Sequence, residues 1–205
     1  LSVMDLVPRL YDLDNDLVQN VMLLNRATGI HILPAPPRPE FAENITGEHF
    51  GKIIEFLRFH NDYIIINTDS FISEPVLAAL DAAEIVVLVG MQQINTIRNL
   101  RMFLELWDAI GMNKNRLSLI INRYDSMNPI TNERIGERLK LKIDLMLPED
   151  LETTQRSDAI GQPFMKSARN TPLSRGIIEL AGQIKVKADA MKESEERRAR
   201  LFAAP

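Results

Sequence analysis

Tyr63-Ile64-Ile65-Ile66, running into Asn67-Thr68-Asp69, decides the reading of this chain. Its companion is Ala78-Ala79-Leu80-Asp81-Ala82-Ala83-Glu84-Ile85-Val86-Val87-Leu88-Val89-Gly90. Residues 63–67 are apolar at consecutive rather than alternating positions. That pattern predicts a strand buried on both faces, as in a parallel sheet flanked by helices. A helix over 75–82 and a second strand of the same kind over 84–90 follow.

Working outward, the alternation continues. Residues 29–35 form a short apolar strand, stopped by Pro34-Ala35-Pro36-Pro37-Arg38-Pro39. Thr46 is an N-cap for a helix through Phe59, with Ile53, Ile54, Phe56 and Leu57 on its inner side. Ile97, Leu100, Leu104, Trp107 and Ile110 share one helix face, and Gly111 closes that helix. Strands over 117–122 and 143–147 enclose a helix over 131–139, and the second ends at Pro148. Residues 1–28 read as helical and irregular, with Pro8 near the front. A final helix starts over 176–187 and extends toward Phe202. Strands alternating with helices define an α/β domain with a mostly parallel sheet flanked by helices and a C-terminal helix.

The 205 residues are 45% hydrophobic, enough to bury one core. A net charge of −4 argues against a surface that coats nucleic acid. The absence of cysteine excludes disulfides and thiolate metal sites and fits a reducing, cytoplasmic compartment. No apolar run reaches the roughly 20 residues that span a bilayer. The chain begins at Leu1 rather than Met, which points to residues upstream.

Ligands of open parallel sheets bind beyond the carboxyl ends of the strands. Those ends here are 34–38, 67–70, 90–93, 122–124 and 148–150. An acidic residue ending a buried strand commonly holds Mg²⁺ through water beside a nucleotide phosphate. Asn67 occupies that position without charge, and Asp69 is the nearest carboxylate. Asn67 reads equally well as a strand cap that starts a turn.

Several other signals carry no site. Asp12, Asp14 and Asp16 mimic the start of a calcium loop, but Leu17 and Leu23 stand where it needs Gly and Glu. His31, His49 and His60 lack metal-ligand spacing. Trp107 sits among apolar residues at helical spacing and reads as core. The tail over 185–200 mixes both charge signs, with Arg197-Arg198-Ala199-Arg200 too small a cluster to argue for DNA. Its apolar face is thin, so it reads as a solvated or partner-contacting helix with at most peripheral membrane contact.

From about Ser2 to Ile184 the chain resembles the MinD/ParA-type P-loop ATPases, and within them the CpaE/TadZ branch associated with pilus assembly. The segments that carry the resemblance are Ile32-Leu33-Pro34-Ala35-Pro36 with Arg38-Pro39-Glu40 and Ala42-Glu43; Asp62-Tyr63-Ile64-Ile65-Ile66-Asn67-Thr68; Leu77-Ala78-Ala79-Leu80-Asp81-Ala82-Ala83; the stretch 94–99; Ile120-Ile121-Asn122-Arg123; and Leu147-Pro148-Glu149-Asp150. Each is weak alone, but their order and spacing over most of the chain are specific. The resemblance divides the chain into an ATPase domain over 1–184 and a charged helical tail over 185–205.

The resemblance implies roles. Asn122 matches the asparagine that reads the adenine edge, a task for an amide with both donor and acceptor. Pro148 matches the start of the loop flanking the base, with Arg123, Glu149 and Asp150 among the nucleotide contacts. Asn67 matches the Walker B aspartate, so Asn67 and Asp69 are the candidate supports for Mg²⁺. Residues 68–74 match the switch loop that senses the γ-phosphate. ATP or ADP with Mg²⁺ is the implied cofactor. A homodimer is the implied assembly, with partners in a pilus or secretion apparatus at the cell pole or inner membrane surface.

Two departures qualify this picture. The glycine-rich Walker A loop is missing together with its strand and helix; no Gly-x-x-x-x-Gly-Lys-[Ser/Thr] run occurs. The Walker B acid is Asn67. In the family's sheet the phosphate-loop strand lies between 63–67 and 84–90, so its absence leaves two strand edges unpaired unless the remaining strands close up. The chain therefore reads as a nucleotide-dependent switch or as a non-hydrolysing pseudo-ATPase scaffold. A DNA-partitioning protein would need a basic surface that the net charge does not suggest.

Overall fold

The structure, a computed structural model, describes residues 1–202, and the side chains of all but Pro39 and 195–202. The chain divides into two compact units, Leu1–Ala83 and Glu84–Pro205.

The first unit opens with two 3₁₀ turns, Val3–Asp5 and Val7–Arg9, followed by helix α1 (Asn15–Val21). Strands β1 (Leu23–Asn25) and β2 (Ile30–Ile32) form an antiparallel hairpin, turned at Gly29 with φ 74°. Helices α2 (Pro39–Ala42), α3 (Gly47–Arg58) and α4 (Glu74–Ala82) complete it. Helix α3 begins where Thr46 predicts: the Thr46 hydroxyl accepts from the His49 N–H, and the His49 ring accepts from the Thr46 N–H. Such a box satisfies two of the donors that a helix start leaves open. Ile53, Ile54 and Leu57 are buried on its inner face. Ile53 and Leu57 join Val3, Leu6, Leu10, Val18, Val21 and Ile45 in one core. Each such side chain contributes about 1.5–3 kcal/mol on burial. Asp14, part of the discounted calcium pattern, caps α1 by accepting from the Leu17 N–H at 2.7 Å.

Two expectations for this unit are corrected. The strand over 29–35 shrinks to β2, whose partner β1 is antiparallel, and its side chains are exposed. Residues 63–67 are not a strand buried on both faces. They pair with no strand among the described residues, and Ile65 is 93% exposed. Ile64 packs against the core of the unit while Tyr63 and Ile65 face out. The segment has the composition of a central strand and no neighbour to make it one.

The second unit holds a three-stranded parallel sheet in the order β3 (Val86–Gly90), β4 (Leu117–Tyr124), β5 (Leu145–Pro148). Helix α5 (Ile94–Ala109) connects β3 to β4, and α6 (Asn132–Leu139) connects β4 to β5. Residues 117–121 are all buried, as a central strand requires. On one face Ile120 and Leu147 pack with Leu173, Ile177 and Leu180 of α9 (Pro172–Phe202). A Cβ on Gly176 would lie 2.7 Å from Leu147 Cδ2, so glycine lets α9 settle on β5. The other face receives α5: a Cβ on Gly90 would meet Leu100 Cδ1 at 2.6 Å. Leu100, Leu104 and Trp107 are buried on α5, whereas Ile110 lies beyond its end and is exposed. Gly111, with φ 72°, follows.

Strand β3 also departs from expectation. Among the described residues it pairs with β4 alone, and it buries Val86, Leu88 and Gly90, but Val89 is 58% exposed. The apolar run marks it as a central strand; no described residue pairs with its second edge. The five expected strands have therefore not closed into one sheet among the described residues. Helices α7 (Leu151–Ile160) and α8 (Phe164–Ser167) were not expected. Helix α9 runs without a break past residue 185, and Lys187 Nζ donates to the Leu117 carbonyl. The cluster Arg197-Arg198-Ala199-Arg200, with Leu201 and Phe202, lies outside the residues whose side chains are described. Among the described residues no helix is long and apolar enough to cross a membrane.

Candidate functional site

Two groups of sequence-predicted residues are brought together, one in each unit. In the second unit the carboxyl ends of β4 and β5 converge. Parallel pairing resumes at Tyr124 opposite Pro148 after a register shift that begins at Ile121. Asn122 and Arg123 fill the irregular step. Arg123 has φ 52°, in the left-handed region that costs a residue with a Cβ roughly 1–2 kcal/mol. Bulges and such strained residues concentrate where a strand end re-aims a side chain.

The strain is held by identifiable contacts. Asn122 Oδ1 accepts from the Arg123 N–H at 2.9 Å, which leaves its amide donors and a second lone pair for other partners. The Arg123 guanidinium reaches across to Glu149, with Nε 2.7 Å and Nη2 2.5 Å from Oε1. This pair is about half exposed, so its worth lies in fixing a planar cation beside the two strand ends rather than in stability. Asp150 is employed differently: its carboxylate accepts from the Thr153 N–H at 3.0 Å and caps α7. The structure thus brings Asn122, Arg123, Pro148 and Glu149 to one corner and commits Asp150 to a helix start.

In the first unit, Asn67, Thr68, Asp69 and Ser73 line a shallow cavity of about 210 Å³ with Phe50, Ile66, Pro75 and Val76. Asp69 Oδ1 accepts from the Phe71 N–H at 3.1 Å, which folds residues 69–71 into a tight turn before α4. Glu74 accepts from the Gly47 N–H, joining the starts of α3 and α4. A Cβ on Gly47 would sit 3.0 Å from the Glu74 carbonyl oxygen. This corner presents one carboxylate, Asp69, beside the amide of Asn67. Mg²⁺ bound by one or two protein groups takes its remaining oxygens from water and phosphate. The pair fits that supporting role only in company with phosphates, and among the described residues no group of three or more His, Cys, Asp or Glu side chains forms a metal cage.

One residue went unnoticed in the sequence. Gln92, just past β3, is 5% exposed. Its Nε2 donates to the Ile130 carbonyl at 2.8 Å, and its Oε1 accepts from the Asp125 N–H at 2.7 Å. The only sequence signal was its place at a strand end. Lys187 lies at the opposite end of β4. Burial lowers its pKa, while Asp144 opposes that shift. Asp144 accepts from Ser118 Oγ and from the Leu119 N–H, both at 2.9 Å. That cluster ties α9 and β5 to β4 and is structural. The histidines are local as well: His49 belongs to the α3 cap, and His60 Nδ1 lies 2.9 Å from the Phe56 carbonyl.

No family model matches the sequence, and no curated protein matches it. Solved structures do match. A ParA family ATPase from Chlorobium tepidum TLS superposes with a TM-score of 0.81 at 23% identity, over 88% of this chain and 75% of that one. The septum site-determining protein MinD from Pyrococcus horikoshii OT3, a complex with Mg-ADP, gives a TM-score of 0.72 at 18% identity, over 90% and 73% of the two chains. MinD in the MinC:MinD complex of Aquifex aeolicus gives 0.72 at 19% identity, again over 90% and 73%. The chain has the fold of the ParA and MinD ATPases: an α/β domain with a parallel sheet flanked by helices.

Proposed function

We propose that this chain is the base-binding part of an ATP-dependent switch of the MinD/ParA type. The observation that carries it is the corner at the carboxyl ends of β4 and β5. There Asn122 follows the five buried residues 117–121 of β4, Arg123 is held left-handed, and Glu149 anchors its guanidinium. Ligand sites of open parallel sheets lie at such ends. The Asn122 amide suits the donor and acceptor edge of adenine. A planar guanidinium suits a purine face, and Pro148 with Glu149 and Asp150 would border the base. Asn67 and Asp69 would support Mg²⁺ through water. When bound, ATP with Mg²⁺ would supply the phosphate charge and hydrolysis energy that distinguish two states of a switch.

In this reading residues 63–67 are a central strand whose partner is the phosphate-loop strand, which no run of the 205 residues supplies. What supports it is the central-strand composition of 63–67 against the absence of a paired strand among the described residues and the 93% exposure of Ile65. The biological use follows the CpaE/TadZ resemblance: a dimer in the cytoplasm, at the cell pole or inner membrane surface, positioning a pilus or secretion machine. The test is calorimetry of ATP with Mg²⁺ on the longest natural form of the protein, beside an Asn122→Ala variant. Micromolar binding that the variant loses is expected; no binding at millimolar ATP overturns the proposal.

A second reading has its own observation. Asn67 stands where the resemblance puts the acid that supports Mg²⁺, and an uncharged amide orders metal-bound water more weakly than a carboxylate. A scaffold that binds ATP without hydrolysing it would show tight binding, no phosphate release, and gain of hydrolysis in Asn67→Asp.

A further inference from the structure

We propose that Gln92 is a positioning residue for base recognition: its buried amide holds the loop over 125–130 and thereby the left-handed corner that presents Asn122. The role rests on the nucleotide reading above and deepens it. Gln92 bridges two points far away in sequence, the Asp125 N–H and the Ile130 carbonyl, which are the two ends of that loop. Its backbone carbonyl also accepts from Asn128 Nδ2 at 3.4 Å. Inside the loop, Asp125 Oδ1 accepts from the Met127 N–H and Asn128 Oδ1 from the Ile130 N–H, each at 2.9 Å. One buried side chain thus clamps both ends of a loop whose other ties are its own short turns and a long bond from Arg134 to the Pro129 carbonyl.

The clamp acts on the corner because Asp125 is two residues past Arg123. The φ of 52° at Arg123 persists only if the chain is fixed on both sides. The β4 ladder fixes it upstream at Ile121 and downstream at Tyr124, opposite Pro148, and the Gln92 bond to the Asp125 N–H holds the next residue. Without the amide, two backbone groups of the loop lose their partners, and the left-handed step loses the support beyond Tyr124 while keeping its bonds to Asn122 and Glu149. Asn122 and the Arg123 guanidinium would then lose their common orientation. A core-filling role does not require a bonded amide at both ends; an apolar side chain of equal size would fill the space.

The test uses the longest natural form of the protein and three ligands with Mg²⁺: ATP, GTP and inorganic triphosphate. Gln92→Met keeps the volume and removes both bonds. Gln92→Glu keeps the acceptor for the Asp125 N–H and loses the donor to Ile130. Gln92→Met is expected to weaken ATP about tenfold, to narrow the preference for ATP over GTP, and to leave triphosphate within about twofold. Gln92→Glu is expected to fall between, and it decides the matter if Gln92→Met does not fold. ATP binding unchanged in both variants, or ATP and triphosphate weakened alike, overturns the role of Gln92. If Asn122→Ala loses ATP while the Gln92 variants keep it, Gln92 alone fails. If the unaltered protein binds no ATP, the nucleotide reading fails and the role of Gln92 with it.

Discussion

Ile65→Thr separates the 205-residue chain from a longer form that carries the proposed phosphate-loop strand. Both residues are β-branched, so strand propensity is retained and burial is what changes. In the 205 residues Ile65 is 93% exposed, and substitution there should cost no more than about 0.5 kcal/mol. In a form whose added strand pairs with 63–67, the same side chain becomes a core residue. Full burial of isoleucine is worth about 1.5–3 kcal/mol, and a threonine hydroxyl left without a partner adds to the loss. A cost of about 2–3 kcal/mol is expected, which at an m-value of about 3 kcal/mol/M shifts a urea midpoint by about 0.7–1 M. Urea titrations of both lengths, each with and without the substitution, measure it. A large shift in the 205-residue chain, or none in the longer one, would refute the assignment of 63–67 as an unpartnered central strand.

Further outcomes follow from single contacts. Lys140 has φ 51° at the end of α6, so Lys140→Gly should raise stability by about 0.5–1 kcal/mol in urea titration. Trp107 is 1% exposed and stacks on Phe103 at 5.7 Å; Trp107→Ala should cost about 3–5 kcal/mol and broaden the amide NMR spectrum of the second unit. Asp144→Ala removes the acceptor of Ser118 and of the Leu119 N–H and should cost about 2 kcal/mol by thermal melting. Lys187 has its folded pKa lowered by burial, so the unfolded chain binds more protons in the alkaline range up to the ordinary lysine value of about 10.4. Stability should rise with pH there relative to Lys187→Met, and urea midpoints of both proteins between neutral and alkaline pH should diverge accordingly.

The legible parts share a physical cause. Thr46 declares the start of α3 because a hydroxyl before an amphipathic run has one good use. Residues 117–121 declare a central strand, and β4 is one. The strand ends at 122–124 and 148–150 are visible in the sequence, and the resemblance added the roles of Asn122 and Pro148. Helix α7 was missed because Leu151–Ile160 has no buried face to set a period; only Asp150 and Gly161 mark it, as caps. The Arg123–Glu149 pair and the Gln92 clamp were missed because their partners lie 26 and 33 residues away in the chain.

By itself the sequence determined the alternation of strands and helices over 84–148, the start of α3, and the polar residues that end those strands. Those are local properties: a run of side chains records the surroundings it was selected for, one residue at a time. Only the tertiary structure decided which strands pair. Among the described residues it left 63–67 without a paired strand and β3 paired on one edge, although both runs are written as central strands. It also set the register shift that throws Arg123 into the left-handed region. Pairing and register belong to two segments at once, so neither segment's composition can fix them alone.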